Sequence, residues 1–301
     1  MTVRLGRVAA AAVAAGAACV AWGALVERQW YALRHVTVPV LAGARAPLRV
    51  LHVSDLHLLP GQARVRRFLE AAHDQGPDLV VATGDLLGSA ETVDEAVALL
   101  TRLRGDRPGL AVLGSNDRYG PQRFNPLRYF RPHPEMRSFG PPLDVDRLVE
   151  GLIDGGWELV DNRRTTVVTP AGAVDVAGLG DPHIDLDDPD AVDWATPSPE
   201  GTVLRLGVVH APYLRSIDVF DRFGFGLVLS GHTHGGQVRL PGVGALSSNC
   251  DLPLGRVRGL SRDGDGPWLH VSAGLGHART APFRFACRPE ATLLDLVPAP
   301  R

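Results

Sequence analysis

Hydrophobic and polar positions alternate between two kinds of run along this chain. Leu48-Arg-Val-Leu-His-Val53, Leu79-Val-Val-Ala82 and Leu110-Ala-Val-Leu113 are short apolar runs, each followed by a polar, glycine-bearing loop. Between them, Val65 to His73 and Val93 to Leu103 carry apolar residues at helical spacing. Strand, loop and helix in this alternation predict parallel βαβ units. The second half holds more strand. Thr166–Thr169 and Val174–Ala177 read as a hairpin across Pro170 to Ala173, and Val203–Val209 and Leu227–Leu229 flank a helix from about Tyr213 to Arg222. Trp268–Val271 and Thr292–Leu296 close the chain, and Val36–Val40 reads as an extended lead-in. The expected architecture is α/β: two packed sheets with helices outside, and one site where strand ends meet.

The N-terminus departs from this rhythm. Val8 to Val26 carries no charge, with Arg4 and Arg7 before it and Glu27 and Arg28 after it. A run of about 19 such residues suffices for a membrane helix. Four readings are open: a signal anchor, which is preferred; a cleaved signal peptide; a lipoprotein signal ending at Ala18-Cys19; and an alanine-rich helix outside the membrane. Arg4 and Arg7 argue for an inside N-terminus, which Arg28 and Arg34 oppose. The expectation is a single-pass bacterial membrane protein with its domain on the outer face. The chain then divides into residues 1–28, a linker over 29–45, and a domain over 46–301.

Composition narrows the chemistry. All 31 basic residues are arginine and the formal net charge is −2. Lysine chemistry is thereby excluded, and no basic field suggests a nucleic-acid partner. Cys19, Cys250 and Cys287 form no CxxC pair. Cys250 and Cys287 are read as buried thiols, with a disulfide as the alternative if the domain is exported.

Five motifs then follow in order: Asp55-Leu-His57, Gly84-Asp85, Ser115-Asn116-Asp117, His210 and Gly231-His232-Thr-His234. Most sit one to four residues past a predicted strand. Asp55 and His57, two apart at an extended strand exit, share a face. Asp85 has two oxygens and can bridge two ions. Carboxylate, amide and imidazole donors together suit two ions of Mn, Fe or Zn better than Ca or Mg. Two such ions about 3.5–4 Å apart clamp a phosphate and hold the attacking hydroxide between them. Taken singly, each residue is as easily a helix cap, a turn residue or a buried histidine; the ordered set carries the reading.

On these motifs, over roughly residues 46 to 297, the chain resembles the calcineurin-like metallophosphoesterases. Gly274-Leu-Gly276, Pro282-Phe-Arg-Phe285 and Cys287 to Leu294 resemble that family's membrane-associated, exported branch. The resemblance implies a four-layer αββα sandwich. It implies that Asp55, His57 and His234 hold one ion, that Asn116, His210 and His232 hold the other, and that Asp85 bridges. One departure stands out. The family places His directly after the metal-binding Asn, to stabilise the leaving group or the phosphoryl oxygens, and Asp117 and Arg118 follow here. In the simplest reading Arg118 supplies the missing positive charge. Alternatives are Asp117 as a general acid and reduced activity.

Residues 119–143 form a long insertion in which Phe124, Tyr129, Phe130 and Phe139 alternate with Arg123, Arg128, Arg131 and Arg137. It reads as a cap that leans on a membrane or a lipid headgroup, or as a solvent loop. His183, in Asp181-Pro-His183, is a candidate pocket residue. The expected function is hydrolysis of phosphodiesters or phosphomonoesters, with lipid-linked or nucleotide-diphosphate substrates in view. The alternatives are a cyclic-nucleotide phosphodiesterase and a metal-binding membrane protein of low activity.

Overall fold

A computed structural model describes residues 2–44, 46–120, 140–277 and 281–300. In chain order the strands begin with β1 (Ala32–Leu41), β2 (Leu48–Val53), β3 (Leu79–Thr83), β4 (Gly109–Val112) and β5 (Trp157–Leu159). There follow β6 (Arg163–Thr169), β7 (Gly172–Leu179), β8 (Thr202–Val209), β9 (Leu227–Ser230) and the short pair β10 (Arg239–Leu240) and β11 (Gly244–Ala245). β12 (Gly259–Arg262), β13 (Trp268–Val271) and β14 (Glu290–Pro298) complete the set. The α-helices are α1 (Thr2–Leu25), α2 (Ala63–His73), α3 (Val93–Arg104), α4 (Ser115–Arg118), α5 (Val145–Asp154) and α6 (Leu214–Arg222).

Two six-stranded sheets result, ordered β1-β14-β2-β3-β4-β5 and β12-β13-β9-β8-β7-β6. β2 to β5 run parallel in the first; β13, β9, β8 and β7 run parallel in the second. The period of two in a strand divides the side chains between layers. Leu48 and Val50, Leu79 and Val81, and Leu110 and Val112 pack between the sheets, against Val174, Val176, Leu206, Val208, Leu227 and Leu229. Their neighbours Leu51, Val53, Val80, Ala82 and Ala111 turn outward onto α2, α3 and α5. Val209 and Val228 pack outward against Ile217 and Phe220 of α6. Burial on both faces explains why these strands read as continuous apolar runs.

The extended lead-in has a larger role than its sequence suggests. β1 is the edge strand of the first sheet and pairs in parallel with β14, near the other end of the chain. Its register shifts between Pro39 and Leu41, where proline is tolerated at an edge.

The N-terminal expectation needs correction. Among the described residues, no helix is long and apolar enough to cross a membrane, so the single-pass span and the outer-face placement of the domain do not hold. Alanine adds little insertion energy compared with leucine. The C-terminal end of α1 is instead committed to the protein. Gly23 accepts from Arg284 N at 3.3 Å, so close that a Cβ would strike the Arg284 carbonyl. Just beyond, the buried Glu27 carboxylate accepts from Trp22 Nε1 at 3.1 Å, Ala286 N at 3.0 Å and Cys287 N at 2.6 Å. Cys250 and Cys287 are free thiols, the second buried. The aromatic and arginine residues of the 119–143 insertion, Arg123 to Phe139, lie outside the described residues.

Candidate metal centre

Every strand that delivers a candidate ligand ends in the cleft between the sheets. Asp55 and His57 follow β2, Asp85 follows β3, Asn116 opens α4 after β4, His210 follows β8, and His232 and His234 follow β9. The local cause differs from simple alternation. Asp55, His57, Asp85, His232 and His234 all have φ between 40° and 68°. Non-glycine residues enter this left-handed region at a cost, and such strain gathers at functional sites. Asp55 and His57 therefore share a site through two left-handed residues rather than through an extended strand exit.

The side chains converge closely. Asp55, His57 and His234 place one ligand atom each within 4.8 Å of one another, as do Asp55, Asp85 and His210. His57 Nε2 lies 3.2 Å from His234 Nε2 and 3.5 Å from Asp85 Oδ2. His210 Nε2 lies 3.5 Å from Asp85 Oδ1, and His234 Nε2 lies 3.7 Å from Asp55 Oδ1. Asp85 thus stands between His57 on one side and His210 on the other. Asn116 joins it through two bonds to Asp85, from its backbone N–H at 2.8 Å and its side-chain amide at 2.7 Å.

Supporting groups set which atoms face inward. His210 Nδ1 donates to the Thr83 carbonyl at 2.6 Å, so the Nε2 lone pair points into the site. Asp55 accepts from Ser54 Oγ at 2.6 Å and from His232 N at 3.0 Å. Space is as tight as the bonding: a Cβ on Gly114 would strike Asp85 Oδ1 and His210 Nε2.

Charge is unevenly distributed. Burial raises the Asp55 carboxyl above the usual range, against the pull of His210. Burial also opposes ionisation of Asp85, but His210 and His57 outweigh it and hold that carboxyl well below the usual range. On His210 burial works against the charge, yet Asp85 and Asp181 hold its pKa well above the ordinary histidine value. Burial and neighbouring cationic groups keep His232 and His234 well below it.

The donor set fits metal ions. The buried Nε2 atoms of His210 and His232 have no hydrogen-bond partner, which is costly unless a cation takes the lone pair. Two imidazole nitrogens facing each other at 3.2 Å, beside two carboxylates, pose the same demand.

Asp117 lies elsewhere than a role facing substrate requires. Asp117 is fully buried, and Oδ2 accepts from Asp85 N at 2.8 Å and Gly114 N at 2.9 Å. Oδ1 accepts from Leu86 N at 2.6 Å and Leu87 N at 3.0 Å. Burial and the neighbouring Asp85 push its pKa up to about 7, against the pull of these amides. With four N–H donors on two oxygens, Asp117 braces the Asp85 turn; the general-acid reading is corrected on that ground. Arg118 bears on Asp161, whose carboxyl burial pushes up to about 6 and Arg118 pulls down.

The sequence reading overlooked Arg284, the largest fully buried side chain. It donates to the carbonyls of Gly276 and Ala273, the latter at 2.7 Å, and stands 3.3 Å from His234 Nδ1. Its setting between Phe283 and Phe285 was the available signal, since a cation flanked by aromatics has reason to be buried. His183 lies against His232, ring centroids 4.3 Å apart.

Known proteins point the same way. Residues 48–236 match the model of the calcineurin-like phosphoesterase family. The chain is 26% identical over 279 residues to phosphodiesterase YaeI of Escherichia coli (strain K12), covering 90% of each. It is 28% identical over 262 residues to the uncharacterized metallophosphoesterase YkuE of Bacillus subtilis (strain 168), covering 81% of this chain and 76% of the relative. UDP-2,3-diacylglucosamine pyrophosphatase LpxG of Chlamydia trachomatis serovar D is 25% identical over 283 residues, with 82% of this chain and 83% of the relative covered. With a family match over more than half its length and clustered Asp and His side chains at its strand exits, the chain belongs to the calcineurin-like metallophosphoesterases, which hydrolyse phosphoric esters.

Proposed function

We propose that this protein hydrolyses phosphodiester or diphosphate bonds with two metal ions, and that its substrate is lipid-linked or a nucleotide diphosphate. The observation that carries the reading is the position of Asp85, with one oxygen 3.5 Å from His57 Nε2 and the other 3.5 Å from His210 Nε2. Asp55, His57 and His234 would hold one ion; Asn116, His210 and His232 the other; Asp85 would touch both. When bound, such ions neutralise phosphoryl charge and make water a competent nucleophile near neutral pH. The protein's own part is orientation. Thr83 aims His210, Asp117 fixes the Asp85 turn, and Ser54 and the His232 amide fix Asp55.

Two relatives support the choice of substrate class, one a phosphodiesterase and one a pyrophosphatase acting on a diacylated nucleotide sugar. The test is hydrolysis of bis(p-nitrophenyl) phosphate, p-nitrophenyl phosphate and UDP-2,3-diacylglucosamine, after chelation and after adding back Mn, Fe or Zn. Activity that needs metal and prefers the diester or the diphosphate is expected. A preference for the monoester would overturn the substrate class, and turnover in chelator would overturn the metal reading.

A further inference from the structure

The cleft beside the metal centre runs from His57 and Asn116 to Leu59, Leu87, Tyr119 and His277. At His277 it meets a part of the chain outside the family match, which begins at residue 48. Arg28 Nη1 stands 3.5 Å from His277 Nε2 and 3.4 Å from the Pro282 carbonyl. Both contacts are at the long limit for a hydrogen bond. Arg28 Nε is buried and has no hydrogen-bond partner among the described residues. None of the arginine–carboxylate pairs among the described residues involves this guanidinium.

Its neighbours on both sides hold Arg28 at this place. Glu27 accepts from Ala286 N and Cys287 N, which ties the segment to the β13–β14 loop that carries His277. The same carboxylate also takes Trp22 Nε1. Gln29 Oε1 accepts from Arg64 Nη1, in the first turn of α2, at 3.0 Å. Positive charge gathers here. Burial raises the Tyr31 pKa, and Arg284, Arg64 and Arg28 all pull it down.

A buried N–H without an acceptor is costly unless a ligand supplies one. A guanidinium suits phosphate oxygens, which it can bind through parallel N–H donors. The reaction has a use for such a group. In a diphosphate ester the phosphate next to the one under attack, one bridging oxygen away, brings a further negative charge into the cleft. A monophosphate diester brings none.

We propose that Arg28 binds the second, non-reacting phosphate of a diphosphate ester whose other phosphate lies at the metal centre. Arg28 is then a specificity-determining residue that favours diphosphate esters over monophosphate diesters. This rests on the two-ion phosphoesterase reading above and narrows its substrate class. It gives the segment between α1 and β1 a part in substrate binding.

The experiment uses the full chain in excess Mn(II), comparing UDP-2,3-diacylglucosamine, a diphosphate ester, with bis(p-nitrophenyl) phosphate, which has one phosphate. Arg28→Gln keeps a donor for the Pro282 carbonyl. It is expected to lower kcat/KM about 30-fold for the diphosphate, mainly through KM, and less than about 3-fold for the nitrophenyl ester. Arg28→Lys should recover part of the loss, as a point charge without the planar fork. Binding is read separately, by inhibition of bis(p-nitrophenyl) phosphate hydrolysis. Arg28→Gln should weaken methylenediphosphonate about 30-fold and leave orthophosphate unchanged. Equal losses on both esters, an unchanged methylenediphosphonate constant, or equal weakening of both anions would each overturn the role of Arg28 while leaving the two-ion reading in place. If the unsubstituted protein turns over neither ester with Mn, Fe or Zn, that reading falls and this proposal falls with it.

Discussion

The two sheets meet at one cleft but bring different chemistry to it. The first delivers the carboxylates Asp55 and Asp85, together with His57 and Asn116; the second delivers only imidazoles, His210, His232 and His234. The way they are held differs as well. The carboxylate side is fixed by backbone N–H groups, through the Asp117 brace and the His232 amide on Asp55. The imidazole side is aimed by a carbonyl, Thr83 O on His210 Nδ1, and backed by the buried guanidinium of Arg284. A carboxylate's charge has to be stabilised where it sits, whereas an imidazole ligand needs its ring nitrogen directed. The apolar layer between the sheets holds the two sets of strand exits against each other.

The difference predicts unequal losses. Asp85→Asn, at the carboxylate between both groups, should lower metal-dependent hydrolysis about 1,000-fold or more, and His232→Asn about 100-fold. Steady-state rates with metal analysis would check this, and equal losses would erase the distinction. Asp117→Ala strips four buried amides of their acceptor and should cost about 4 kcal/mol in urea unfolding. A loss under about 1 kcal/mol would mean that the brace is unimportant.

Acid should act on the second sheet's tie to the first. His52 and His270 meet in the core, Nδ1 to Nδ1 at 2.9 Å. Burial holds His52 well below the usual histidine value and brings His270 down to about 4. A histidine depressed in the folded state is protonated first in the unfolded chain. Its contribution is therefore full above about pH 6.5 and is lost as pH falls from there to about 4. For His270 the loss is about 3 kcal/mol. Unfolding free energies across that range, with His270→Leu flattening the slope, test the assignment. The smallest effect should come from the N-terminal tie. Glu27→Ala leaves the Ala286 and Cys287 amides without their acceptor and should cost about 2 kcal/mol by the same measurement.

Much of this was legible in local pattern. β2, β3, β4, β8, β9 and β13 lie within a residue or two of the apolar runs that announce them, because burial on both faces leaves an unbroken signal. The same runs place Asp55, Asp85, Asn116, His210 and His232 at strand exits. The pairing of β1 with β14 was not legible, since partners some 250 residues apart share no local signal. The apolar N-terminal run suggested a span, but composition does not disclose that the end of α1 docks onto the Arg284 loop.

Asp117 marks the boundary most clearly. Its place beside Asn116 made it a candidate acid, and adjacency in sequence says nothing about where two oxygens point. That direction depends on amides from the Asp85 turn, some thirty residues away. His183 repeats the lesson from the other sheet, since its partners Asp181, Tyr213 and His232 are gathered from three segments. By itself the sequence determined which elements form and which donor atoms leave their ends, because both follow from short-range periodicity and residue chemistry. Tertiary structure alone decided which donors face one another and which acid is a brace, because those are properties of orientation between segments that only the packed sheets bring together.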